Sequence, residues 1–173
     1  MPISSSLLSC FCNFLDELLI NSQQESLIKK KEKKQCIKYN DESIKIISII
    51  SRELPHIPIR KYIYNLINYI EDNENVDNEN VDSMLIQTLF ILNRLLYRQI
   101  YLNPYNIHRL LLTCIMISSK IIQDRHYSNS VWAKFGGVTL KSINIMEKEI
   151  LLLLDFKLFV SHQHMLNIVK SIK

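Results

Sequence analysis

The chain has 173 residues, 47% hydrophobic and 22% charged: enough for one domain with its own core, short for two, and too apolar for a disordered chain. With 2 glycines and 4 prolines few tight turns can be built, so long helices joined by short polar links are the economical architecture. A net charge of +4 and a pI near 8.8 are too mild to imply a nucleic-acid partner.

In chain order, the opening MPISSSLLSCFCNFLDELLI is apolar but lacks a basic leader region and carries Asp16 and Glu17. It reads neither as a signal peptide nor as a membrane span. An intracellular protein is expected, in the nucleus and/or cytoplasm and not secreted, with no membrane partner and reduced cysteines. Leu8, Phe11, Leu15, Leu18 and Leu19 follow three-and-four spacing and predict a helix over 7–20. Residues 21–40 show no periodicity and predict a mobile link. Within them KKKEKK at 29–34 has no interleaved aromatic residue, which favours a solvated linker or helix face over a localisation signal or phosphate-binding tail.

DESIKIISII at 41–50 predicts a helix capped by Asn40 or Asp41 and stopped by Pro55. After Pro58, the positions Ile59, Tyr62, Ile63, Leu66, Ile67 and Ile70 predict another. EDNENVDNENVD at 71–82 is a doubled unit of acid and asparagine, too polar to pack, and predicts a loop insertion. Asp82 or Ser83 would cap SMLIQTLFILNRLLYRQ, and Asn106 would cap a helix whose centre at 110–122 is apolar on most faces. Two such helices predict a central buried pair surrounded by others. A short helix then ends at Gly136 and Gly137, Thr139 caps a long helix to about 156, and Ser161 caps a last one. No segment alternates as a strand would. The expectation is an all-α protein of one domain.

No catalytic constellation stands out. The two glycines are adjacent and follow a helix, so no phosphate-cradling loop exists, and neither H-E-x-x-H nor a serine elbow is present. Cys10 and Cys12 would point about 200° apart on a helix, as would His162 and His164, so neither pair can share a metal. Cys36 and Cys114 are isolated, and His108 reads as a capping or packing imidazole. No enzyme activity, cofactor, metal or small-molecule substrate is expected.

Two charges are harder to absorb. Lys120 lies between CIMISS and II, and Glu147 lies shortly before a run of leucines. Burying an unpaired charge is costly, so an internal salt bridge or snorkelling to solvent is one reading. The helix faces support another. Ile117, Lys120, Ile121 and Asp124 share one face, and Glu147, Leu151, Leu154 and Leu158 share a second if that helix extends so far. Charge mixed with apolar groups near a helix end suits docking of a partner helix.

The stretch from Asn106 to Met165 resembles the cyclin box of the P- and U-type cyclins. The matching residues are Asn106, His108, Arg109, Leu110, Ser119-Lys120, Asp124, Tyr127-Ser128-Asn129, Ala133-Lys134, Gly136-Gly137, Met146-Glu147 and Leu153-Leu154-Asp155-Phe156. Gln123, His126 and Trp132 depart from that pattern, and weaker likeness reaches back to Pro58. The resemblance implies a single five-helix box with flanking N- and C-terminal helices, divided as 1–40, 41–160 and 161–173. It implies a regulatory subunit that binds and activates a cyclin-dependent kinase by docking on its αC helix. Lys120 and Glu147 would clamp kinase backbone groups from exposed, solvated helix ends, and Ile121, Leu151 and Phe156 would form the apolar contact. Gly136 and Gly137 would be a structural hinge that orients the helix carrying Glu147. A cyclin-fold adaptor or transcription-factor scaffold without a kinase partner is the alternative.

Overall fold

The computed structural model describes residues 5–33, 51, 54–73, 78–98, 100, 102–161 and 163. Six helices follow in order: α1 (Ser5–Lys33), α2 (Ile59–Asn73), α3 (Asn78–Tyr97), α4 (Ile107–Ile122), α5 (Asn129–Phe135) and α6 (Leu140–Leu153). Among the described residues there is no strand, in keeping with the all-α expectation.

The centre is α4. Every residue from Leu110 to Ser119 is buried, because a helix apolar on nearly all faces can be satisfied only by neighbours on all sides. It packs most extensively on α3 and also meets α2 and α6. The α3–α4 contact carries one polar link, with Thr88 Oγ1 at 2.8 Å from the Met84 carbonyl and 3.0 Å from Ser118 Oγ. A buried hydroxyl finds its partner inside the same contact. Leu8, Phe11, Cys12 and Leu15 of α1 join the same core, and Arg60 of α2 reaches back to Asp16 at 2.5 Å and to Asn13 at 2.7 Å. Burial holds the thiols of Cys12 and Cys114 above their ordinary range, which keeps them protonated and unreactive.

Three stretches differ from the sequence-based expectations. Residues 21–33 continue α1 and are not a link. They contain no Gly or Pro and are rich in Gln, Glu, Leu, Ile and Lys, so intrinsic propensity extends the helix where amphipathic periodicity gives no sign of it. The insertion at 71–82 is helical at both ends, since α2 continues to Asn73 and α3 begins at Asn78. Val81 is fully buried, three and four residues before Met84 and Leu85 on the same stripe, so Asp82 and Ser83 lie inside α3 and cap nothing. The third is the end of α6, which stops at Leu153 and not near 156, with Asp155 and Phe156 at φ 52° and 54°. The helix expected over 41–50 and the one after Ser161 lie outside the described residues.

Caps separate in the same way. Thr139 stands before α6 and its side chain accepts from the Ser142 N–H at 3.1 Å. Asn106 occupies the position before α4, but its Oδ1 accepts from the Asn103 N–H at 2.9 Å, closing the preceding turn and not the helix.

The glycine pair between α5 and α6 answers two different constraints. Gly137 has φ +63°, the left-handed region that costs a side-chain-bearing residue about 1–2 kcal/mol. Gly136 has φ −77° and needs no special backbone, but a Cβ on it would overlap Cδ2 of Leu112 on α4. Gly136→Ala is therefore expected to cost about 1–3 kcal/mol through overpacking, less than additively with Leu112→Val. Gly137→Ala is expected to cost about 1–2 kcal/mol whatever stands at 112. Thermal melts of the single and double variants separate the two causes.

His108, in the first turn of α4, lies with Nε2 2.8 Å from the Ile57 carbonyl and its ring edge-on to Tyr62 at 5.0 Å. Burial lowers its pKa below the ordinary histidine value, outweighing the carbonyl bond that raises it. The unfolded chain therefore takes up this proton at higher pH than the folded one does. Stability from this group is full above the ordinary value and is lost as pH falls from there through the folded-state value. The melting temperature should fall between pH 7.5 and 5.5, and His108→Gln should flatten that slope.

A candidate docking surface at the ends of α4 and α6

Lys120 sits in the last turn of α4, where a cation is favoured by the helix dipole. Glu147 projects from the middle of α6, which follows the left-handed turn at Gly137 and the Thr139 cap. Lys120 Nζ lies 2.5 Å from Glu147 Oε1, with the side chains 26% and 17% exposed. Asn129, the first residue of α5, closes the group. Its Oδ1 accepts from Lys120 Nζ at 2.6 Å, and its Nδ2 donates to Glu147 Oε2 at 2.7 Å and to Asn144 Oδ1 at 2.7 Å.

The two charges are thus brought together within one chain, and they are not separately solvated on exposed helix ends as expected. Neither is used up. An ammonium has three donors, and Lys120 commits two; each carboxylate oxygen of Glu147 keeps a lone pair. The remaining capacity is one N–H and the free carboxylate lone pairs, at a rim that solvent still reaches. Such a pair can bind a peptide unit that offers one carbonyl and one N–H.

The apolar surroundings divide. Ile121 is 44% exposed and Phe156 63% exposed, while Leu151 is half-buried. Ile117 and Leu154 are core residues, so the two faces read from spacing are partly interior. Leu154 falls one turn after Ile150 on the buried stripe of Ile143, Met146 and Ile150, and its N–H still donates to the Ile150 carbonyl at 3.0 Å, so helical spacing itself carries this leucine inward. Leu158, beyond the positive-φ turn at Asp155 and Phe156, is half-buried and packs against the core.

The segment after α6 is held on α3 and on Arg98, the residue that follows it. Gln87 Nε2 donates to the Leu158 carbonyl at 2.8 Å, Arg98 pairs with Asp155 at 3.0 Å, and Arg94 donates to the Lys157 carbonyl. This fixes the backbone beneath exposed Phe156 and Phe159. Spacing and composition give no role to Asn129, Asn144, Gln87, Arg94 or Arg98. Asn129 stood inside the matched Tyr-Ser-Asn run, which was its one available signal. A hollow of about 490 Å³ lies along α6, lined by Leu140, Lys141, Asn144, Ile145 and Lys148. All five belong to one helix, so it is an open groove and not an enclosed ligand cavity. No helix among the described residues is long and apolar enough to cross a membrane.

The cyclin family model matches residues 6–158. Over 56 residues the chain is 54% identical to Cyclin-U1-1 of Arabidopsis thaliana, covering 32% of this chain and 27% of that protein. Over 60 residues it is 50% identical to PHO85 cyclin-7 of Saccharomyces cerevisiae, covering 35% of this chain and 21% of that protein. A longer match, 27% identical over 158 residues, joins it to Cyclin-U4-1 of Arabidopsis thaliana and covers 90% of this chain and 71% of the relative. In the first two the match spans less than a third of the relative's own length. With a helical core organised around α4 and a family match running from α1 past α6, this chain belongs to the cyclin family, in its P-/U-type branch.

Proposed function

We propose that the chain is the regulatory subunit of a cyclin-dependent kinase and that it activates the kinase by docking beside the αC helix through Lys120, Glu147, Ile121, Leu151 and Phe156. The observation that carries this is the half-committed ion pair at the rim of α4 and α6, with Ile121 exposed next to Lys120 in the chain and Phe156 exposed just beyond α6. A purely structural bridge gains nothing from open hydrogen-bond capacity beside unpacked apolar groups; a docking site needs both. Its relative PHO85 cyclin-7 carries a partner in its name, which supports a kinase as the class of partner here.

The chain contributes binding energy and no catalytic group. Docking favours the kinase conformation in which αC is turned inward, so that the kinase's own Lys–Glu pair and magnesium-binding Asp reach their working positions. Activation is then a population shift whose size is the difference in this chain's affinity for the two kinase conformations.

The test is purification of the full chain from its own cells, identification of what accompanies it, and a phosphorylation assay of the recovered kinase with and without added chain. A kinase whose activity rises on addition supports the proposal. Recovery of transcription factors with no kinase would replace it with the adaptor alternative.

A further inference from the structure

We propose that Asn129 is a positioning residue for the docking pair, holding Lys120 and Glu147 in their docking geometry without itself contacting the kinase. The inference rests on the docking reading above and adds a residue to it.

The geometry is specific to an amide. Asn129 accepts from Lys120 through Oδ1 and donates to Glu147 through Nδ2, at 2.6 and 2.7 Å, while its second N–H goes to Asn144 at 2.7 Å. A carboxylate at 129 could accept from the lysine but could not donate to the glutamate; a hydroxyl could not reach both. Without the amide, one hydrogen bond at 2.5 Å would have to fix two long side chains. Glu147 could then rotate its free oxygen, and Lys120 could swing through several rotamers. Ordering such side chains at the moment of docking lowers affinity, and an amide that orders them beforehand removes that cost.

The amide is itself held firmly. Asn129 opens α5, whose Trp132 and Ala133 are buried, and α5 packs against α6, the helix that carries Glu147 and Asn144. Asn129 therefore stands as a fixed third point between the end of α4 and the face of α6. Its partners on that face, Asn144 and Glu147, are three residues apart and so lie side by side on α6.

The experiment uses the full chain and the separately purified kinase that accompanies it, with affinity measured for Asn129→Ala and Asn129→Asp. Each is made in the native background and in one carrying both Lys120→Ala and Glu147→Ala. In the native background Asn129→Ala should weaken binding about tenfold, mainly through faster dissociation. Asn129→Asp, nearly identical in shape, should weaken it further because it sets a negative charge against Glu147. In the background without the pair, Asn129→Ala should change affinity by less than about twofold, since nothing remains to be positioned. An equal loss in both backgrounds would show a general structural role and overturn the proposal. If Lys120→Ala and Glu147→Ala weaken binding while Asn129→Ala does not, the docking pair stands and the positioning role alone falls. If neither pair variant affects binding, the docking reading fails and takes the positioning role with it.

Discussion

Lys120→Ala and Glu147→Ala are each expected to weaken kinase binding by about 2–5 kcal/mol, roughly thirty- to several-thousand-fold. The magnitude is that of removing one partner from a hydrogen-bonded charge pair which the complex desolvates. Because the two groups are already paired at 2.5 Å and only 26% and 17% exposed, each substitution also costs the free chain stability. That cost lies between an exposed pair, about 0–1 kcal/mol, and a fully buried one, about 3–5 kcal/mol. About 1–2 kcal/mol is expected, a lowering of the melting temperature by several degrees. Loss of stability therefore does not distinguish docking from an internal bridge, but a charge reversal does. The double variant Lys120→Glu with Glu147→Lys rebuilds an internal pair with its hydrogen-bonding groups exchanged between the helices. It should recover most of the lost melting temperature while binding remains weak, because the outward donor and acceptor now face the wrong groups of the kinase. Recovery of both would show that the pair only holds the fold together.

The architecture was legible where side-chain periodicity and burial coincide. The run from Leu110 to Ser119 is apolar on most faces and lies at the centre, and the hydroxyl of Thr139 stands where the following amphipathic stripe requires a cap. Periodicity is silent over 21–33, where the sequence carries no apolar stripe and propensity alone extends α1, and at the acidic insertion, where among the described residues Val81 is a lone core residue between acids and asparagines. Spacing also leaves a residue at the border of two stripes undecided: Leu154 stands two turns after Glu147 but one turn after Ile150, and it is the second relation that puts it in the core. The meeting of Lys120 with Glu147 could be argued from two charges on apolar helices. The part played by Asn129 could not, because it depends on three side chains from three helices converging within hydrogen-bonding distance.

Trp132→Ala is expected to be the most destabilising single change on α5, at about 3–5 kcal/mol. The indole is 2% exposed and lies against Tyr127 at 6.3 Å, edge-on. Tyr127 in turn meets Tyr69 of α2 at 5.8 Å, and Phe135 at the other end of α5 meets Tyr69 at 5.0 Å. A seven-residue helix is too short to stand on its own hydrogen bonds, so it depends on its packing against α6 and on these rings, which tie it to α2. Truncation to alanine removes the largest of them and loosens the element that presents Asn129. Kinase binding should then fall even at temperatures where the chain remains folded. Trp132→Phe should behave differently. The indole Nε1 is buried with no hydrogen-bond partner among the described residues, an arrangement that leaves a desolvated donor unsatisfied at a cost of about 1–3 kcal/mol. Phenylalanine leaves a smaller void and removes that donor, so the two effects oppose, and a net change within about 1.5 kcal/mol is expected. Denaturant unfolding of both variants checks the ordering. A phenylalanine variant as unstable as the alanine one would mean that indole volume alone anchors α5 and that the unpaired nitrogen carries no penalty.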